Sequence, residues 1–246
     1  MVSWAFVEYD EVESTQSLAA ALADEGAPEG TAVTAKSQSA GRGRLGRDWV
    51  SPPGGLYMSV ILRPSHIERP QLISLVFALA VVEGIGRLTG LAARIRWPND
   101  VIVGGRKVGG VIAAGQSYGN EATRFVVGVG VNGNAPVRQV EPGGERATSL
   151  AEELGREVGL LELRSAILDA FSEFYERWKS GEDLTPLWAG NIGTIGKSVR
   201  VKMTGDKREF HCKVIGVGHE GELVVERDGN RTTLRAEDLE RLREVN

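Results

Sequence analysis

Apolar positions along the chain recur at two different spacings. Short apolar or alternating runs at residues 4–9, 30–37, 56–62, 94–97, 101–103, 108–114 and 123–131 have the period that sets one side of a strand against a core. Helical spacing takes over at residues 16–22, where Ser14 and Thr15 offer hydroxyl caps. It returns from Pro70, a residue suited to a first helical turn, to near Gly90. A longer helix is predicted from Glu162, because Leu163, Ala166, Ile167, Ala170, Phe171, Phe174, Tyr175 and Trp178 fall on one face. Ser149 with Glu152 three residues on reads as a capping box, and Gly104-Gly105 between apolar runs reads as a tight hairpin.

Past Leu187 the texture changes. Short strands at residues 198–203, 210–217, 222–226 and 231–234 are separated by turns at Gly205-Asp206, 218–221 and Asp228-Gly229-Asn230, and residues 236–242 read as a helical tail. Strands followed by helices without regular βαβ alternation predict an α+β fold, a mixed β-sheet with helices on one face, followed by a small β-barrel. The division is expected between residues 1–186 and 187–246, with Thr185-Pro186 near the hinge.

Composition narrows the partners. The chain has 246 residues, 41% of them hydrophobic and 25% charged, which is globular material, and its net charge of -4 argues against a general nucleic-acid coat. The single cysteine, Cys212, cannot form an internal disulfide, as expected for a cytoplasmic protein; it sits in the alternating run 209–215 and reads as a buried strand residue. The start of the chain lacks the basic and apolar segments of a secretion signal. The most apolar stretch, residues 72–82, falls short of the roughly 18 residues a bilayer span needs and reads as a core helix, so no membrane partner is expected. His66, His211 and His219 have no helical ligand spacing, and no side-chain metal cluster is predicted.

Against that acidic balance, residues 41–47 read Gly-Arg-Gly-Arg-Leu-Gly-Arg. Glycines leave backbone N–H groups uncovered, and guanidinium forks match carboxylate or phosphate oxygens. The loop therefore reads as an anion site, with a solvated surface loop as the plain alternative.

Ser14-Thr15, Gln38 ahead of the arginine loop, Trp97-Pro98-Asn99-Asp100, Arg106-Lys107-Val108-Gly109-Gly110 and the segment Gly128-Val129-Gly130-Val131-Asn132 together, in that order, resemble the biotin protein ligases. The resemblance runs over essentially the whole chain and implies that the C-terminal barrel is SH3-like. With its first strand starting at Trp4, the chain resembles the short form without a DNA-binding helix-turn-helix. It departs from the family where Ala236-Glu237-Asp238 replaces the usual Gly-Glu of the barrel.

The implied reaction joins biotin and ATP to biotinyl-5′-adenylate and passes biotin to a lysine of a carboxylase's biotin carrier domain. The resemblance implies Lys107, Arg42 and Arg44 as the catalytic cations, with Mg²⁺ accompanying ATP, because two anions must be brought together. Biotin would be held by Ser14, Thr15, Gln16, Gln38, Gly41, Arg42, Gly43, Arg44, Lys107 and Gly110. ATP and the adenylate would be held by Arg42, Arg47, Trp49, Asn99, Asp100, Lys107 and Asn132, the last by a hydrogen bond across the site to Asp100 or to the adenylate. Ser14 and Thr15 read equally as helix caps, Asn99-Asp100 as an Asx turn, and Trp49 as a residue packed on the sheet. As a flexible, charged segment, the arginine loop is expected to fold over the bound adenylate and exclude water, with biotin binding ordering it. A lipoate or octanoate ligase of the same architecture and an RNA-binding or adaptor module remain as alternatives, and an exposed strand edge would serve a homodimer or acceptor docking.

Overall fold

The computed structural model describes residues 2–65, 69–118, 121–136, 147–206 and 208–245, without the side chains of 116–118 and 121–123. His66 lies outside the described residues. Seven strands form one mixed sheet: β1 (Ala5–Val12), β2 (Thr31–Gln38), β3 (Leu56–Leu62), β4 (Arg94–Arg96), β5 (Asp100–Val103), β6 (Arg106–Tyr118) and β7 (Glu121–Val131), in the order β1-β2-β3-β7-β6-β5-β4. Only the β1–β2 pair is parallel among them. Gly104 and Gly105, both at positive φ (56° and 77°), make the tight β5–β6 turn that side chains with a Cβ would resist.

The two faces of the sheet are covered differently. Met58, Val60 and Leu62 of β3 and Val127, Val129 and Val131 of β7 face the main core, where α2 (Ile73–Thr89) and α4 (Leu160–Lys179) pack. The intervening residues Ile61 and Val126 meet α1 (Thr15–Asp24) on the other face, in a small cluster with Ala19, Ala23 and Val33. The expected one-sided arrangement thus holds for the two long helices, and α1 takes the opposite face. On that face β7 carries Gly128 and Gly130 between its valines, so the sheet beyond α1 is left bare. Helix α2 continues a 3-10 turn at Pro70–Leu72, and the run Pro70–Thr89 has 20 residues, with a mean hydropathy of 1.8 over an 18-residue window of it. It is longer than the apolar stretch predicted and long enough to cross a bilayer, but here it is largely buried between sheet and α4.

In α4 the predicted apolar face is the buried one. Phe171 stacks between Phe77 and Tyr175, with ring centroids 4.1 Å and 5.1 Å away. Phe171→Ala is expected to destabilise the fold by about 3–5 kcal/mol through the cavity it leaves, read as a lower urea midpoint with unchanged slope.

Past α3 (Leu150–Leu154), capped by Ser149 Oγ accepting from Glu152 N at 3.2 Å, and α4, the chain forms α5 (Thr185–Asn191). Thr185 and Pro186, expected near a hinge, instead open this helix, because Pro186 suits its first turn and Trp188 is buried. A five-stranded antiparallel sheet follows: β8 (Ser198–Met203), β9 (Glu209–Val217), β10 (Leu223–Arg227), β11 (Asn230–Leu234) and β12 (Leu239–Glu244), ordered β11-β10-β9-β8-β12. The tail expected as a helix at 236–242 is corrected here. Its Glu and Arg residues favour a helix in isolation, but pairing of Leu239–Glu244 with β8 and burial of Leu239 decide for a strand. The small barrel-like sheet sits against the larger one: Trp97 Nε1 donates to Gly221 O at 2.8 Å, and Arg69 donates to His219 O at 3.2 Å.

Candidate active site

Where the bare face of the large sheet meets β12, a cleft of about 500 Å³ opens. Gly128, Gly130 and Gly110 make its floor, α1 closes one end, the arginine loop runs along one wall, and β12 forms part of the rim. Of the expected site residues, it collects Ser14, Thr15, Gln38, Arg42, Gly43, Arg44, Arg47, Trp49, Asn99, Asp100, Lys107 and Gly110. Gln16, Gly41 and Asn132 stand behind the lining instead.

The α1 end is polar and neutral. Ser14 is the N-cap, its Oγ accepting from Ser17 N at 3.4 Å, so capping and facing the cleft coincide. Gln38, the last residue of β2, accepts at Oε1 from Thr15 N at 2.8 Å and donates from Nε2 to Ser51 Oγ at 2.7 Å. Thr15 and Ser59 place their hydroxyl oxygens 2.9 Å apart, and both residues are buried. Gln16 lies beneath Gly128: its Nε2 donates to Val126 O at 2.8 Å, and a Cβ on Gly128 would stand 2.5 Å from its Oε1. Gly41 is buried; its carbonyl accepts from Trp49 N at 2.9 Å, and a side chain there would drive into Trp49 O.

The opposite end is cationic. Lys107 is the second residue of β6, just past the glycine turn, and its backbone is held by Thr148 N donating to Lys107 O at 2.8 Å. Its Nζ lies 3.0 Å from Asp100 Oδ1 and 5.1 Å from the Trp49 ring centroid, with its side chain only 15% exposed. Trp49 packs on Gly130, where a Cβ would come within 2.6 Å of its indole nitrogen, and that buried Nε1 has no hydrogen-bond partner among the described residues. Gly130→Ala is therefore expected to push the indole off the floor and weaken nucleotide binding about tenfold; calorimetric titration with ATP would measure it. Asn99 spends its side chain on β6, donating to Val111 O at 3.0 Å.

Of the two partners expected for Asn132, Asp100 is not met: the Asn132 Nδ2 donates to Thr148 O at 3.0 Å, while Asp100 pairs with Lys107. The Thr148 segment runs beside β6 and supplies the closer acceptor; Asn132 Oδ1 remains buried with no donor among the described residues.

Hydrogen bonds tie the arginine loop to the barrel. Gly43 N donates to Arg47 O at 2.7 Å across a 3-10 turn at Arg44–Gly46, in which Leu45 adopts φ 59°. Arg44 donates to the carbonyls of Ala236 and, at 3.4 Å, Leu239; Arg47 donates to Glu240 O at 3.0 Å. Burial first, and then the neighbouring Arg47, push the Arg44 guanidinium below its ordinary pKa. Sequence reasoning missed Arg96, Arg241 and Arg243, which also line the cleft. Arg96 lies on a predicted strand, ahead of the Trp97-Pro98-Asn99-Asp100 motif rather than in it, and Arg241 and Arg243 lie in or just past the segment read as a helical tail, so nothing local marked them. It also missed Ser59, whose signal was present: a small polar side chain in a strand, Leu56–Leu62, whose other residues are apolar or aromatic.

The cleft thus combines neutral hydrogen-bonding groups with a concentration of lysine and arginine, an arrangement suited to an elongated ligand with a polar head and an anionic tail. The chain belongs to the biotin/lipoate A/B protein ligase family, whose model matches residues 10–132. It is 32% identical over 240 residues to the bifunctional ligase/repressor BirA of Bacillus subtilis, covering 95% of this chain and 73% of that one. It is 33% identical over 219 residues to a biotin--[acetyl-CoA-carboxylase] ligase of Paracoccus denitrificans, covering 84% and 88%. Among solved structures, the biotin protein ligase of Aquifex aeolicus in complex with biotin and ATP superposes with a TM-score of 0.83 at 28% identity, covering 98% of this chain and 99% of that one.

Proposed function

We infer that this chain is a biotin protein ligase: it activates biotin with ATP and transfers the biotinyl group to a protein lysine. One observation carries the reading. The neutral donors and acceptors of Ser14, Thr15 and Gln38 share a single cleft with Arg42 and Lys107, matching a ureido ring at one end of a ligand and a carboxylate meeting a phosphate at the other. A lipoyl or octanoyl chain would leave the polar end unpaired, which disfavours it. The acidic balance disfavours an RNA-binding or adaptor role.

In the first step a biotin carboxylate oxygen attacks the α-phosphorus and pyrophosphate leaves. Lys107 Nζ exchanges Asp100 for the two converging anions, and Arg42 adds a second cation. In the second step the acceptor amine attacks the acyl carbon and AMP leaves. Asp48, Asp100 and Glu240 line the cleft, and Asp100 would lend a carboxylate to a Mg²⁺ otherwise carried by phosphate oxygens and water; that ion would offset phosphate charge. Arg44 and Arg47, by tying the loop to β12, keep water from the mixed anhydride.

The relatives' names point to the biotin carrier of an acetyl-CoA carboxylase as acceptor, and the finer assignment is biotin--[biotin carboxyl-carrier protein] ligase. The edge of β6 beyond residue 111 pairs with no strand among the described residues; an acceptor or a second copy would add a strand there. ATP–pyrophosphate exchange run in parallel with biotin, lipoate and octanoate tests the activity. Exchange with biotin alone supports it; exchange with lipoate alone moves the chain to the neighbouring branch, and no exchange with any acid refutes it.

A further inference from the structure

At the α1 end of the cleft two lining side chains, Thr15 and Gln38, and two behind them, Ser59 and Gln16, form a chain of hydrogen bonds whose proton directions can be worked out. Thr15 Oγ1 lies 3.0 Å from Gln38 Oε1 and 2.9 Å from Ser59 Oγ, and Ser59 Oγ lies 3.1 Å from Gln16 Oε1. Two of these orientations are set independently. A backbone N–H only donates, so the Gln38 atom facing Thr15 N at 2.8 Å is the amide oxygen. The Gln16 nitrogen donates to Val126 O, so its oxygen is the atom facing Ser59.

Three contacts then share two hydroxyl protons. If Thr15 donated to Gln38 and Ser59 to Gln16, the two hydroxyl oxygens would face each other at 2.9 Å with no proton between them. If Thr15 donated to Gln38 and Ser59 to Thr15, Gln16 Oε1 would lose its donor. With Thr15 donating to Ser59 and Ser59 to Gln16, every acceptor keeps one, since Gln38 Oε1 still has Thr15 N–H. Leaving the part-buried Gln16 acceptor unmatched, or setting two buried hydroxyl oxygens against each other with no proton between them, is the larger penalty.

We propose that Ser59 and Gln16 are positioning residues that turn the Thr15 hydroxyl proton away from the cleft, so that Thr15 meets the ligand as a hydrogen-bond acceptor. Ser14 is its opposite: its oxygen accepts from Ser17 N, and its proton has no partner among the described residues. Adjacent residues therefore present a donor and an acceptor, the complement of a cyclic urea's C=O and N–H. Ser59 is fully buried, so it acts only through Thr15. The proposal rests on the biotin reading and adds to it the group that enforces the polarity.

A double-mutant cycle tests it, with biotin affinity by calorimetry and the kinetics of ATP–pyrophosphate exchange as readouts. Ser59→Ala is expected to raise the biotin Kd about tenfold in the wild-type background, with kcat at saturating biotin and the KM for ATP little changed. In a Thr15→Val background, where there is no hydroxyl to orient, it should change Kd by less than about twofold. Ser59→Thr, which keeps the hydroxyl, should restore binding. Should Ser59→Ala fail to fold, Gln16→Met removes the acceptor at the far end of the chain and should show the same dependence on Thr15. Equal losses in both backgrounds, or a matching loss in ATP KM, would overturn the proposal while leaving the biotin reading intact. A wild-type protein that binds no biotin would overturn both.

Discussion

Lys107→Ala is expected to slow biotin-dependent ATP–pyrophosphate exchange by about 10²–10³-fold, with a much smaller effect on biotin affinity. The ammonium is the cation that the fold places most deliberately. The Gly104-Gly105 turn delivers it, Thr148 holds its backbone, and Asp100 and the Trp49 face hold its tip in a cleft where it is largely shielded. Low exposure matters because a charge is worth more where water does not screen it. In the free protein Asp100 occupies the ammonium; in the reaction the growing negative charge on the phosphoryl oxygens replaces it. The group therefore acts mainly in the transition state, and its loss should fall on kcat. Single-turnover adenylate formation, with biotin titrated separately, divides the two effects. A loss confined to biotin Kd would assign Lys107 to binding alone.

Arg44→Ala is expected to act on retention instead. The Arg44 guanidinium reaches across the cleft mouth to the Ala236 and Leu239 carbonyls, and Arg47 to Glu240 O, so the loop and the barrel close the site from two sides. Truncating a hydrogen-bonded, part-buried cation of this kind changes dissociation most. The adenylate should leave about 10²-fold faster, seen as free biotinyl-adenylate and its hydrolysis products accumulating without acceptor, while the rate of its formation falls less. Equal and small effects of the two substitutions would contradict this division of labour.

Local patterning made much of this legible. The β3 run, the Ser14 and Ser149 caps, the glycine turn before Lys107 and the apolar face of α4 all depend on neighbours in sequence, and the structure places them as the spacing predicts. What was hidden depends on pairing between distant segments. β12 reads as helix because Glu and Arg propensities are local, whereas its partner β8 lies some forty residues earlier. Arg241 and Arg243 reach the cleft only through that pairing, and Asn132 turns to Thr148 because a loop distant in sequence brings a carbonyl to it. Membership of the site is a property of the fold for these residues, and of the motif for Lys107, Gln38 and the arginine loop.

A crystal structure of the protein with biotin and ATP puts the central claim to the most direct test. The account predicts the ureido ring against Ser14, Thr15 and Gln38, the biotin carboxylate and the α-phosphate together beside Lys107, and residues 41–47 closed over them. Ligands lodged elsewhere, or an arginine loop standing away from both compounds in bulk solvent, would contradict it.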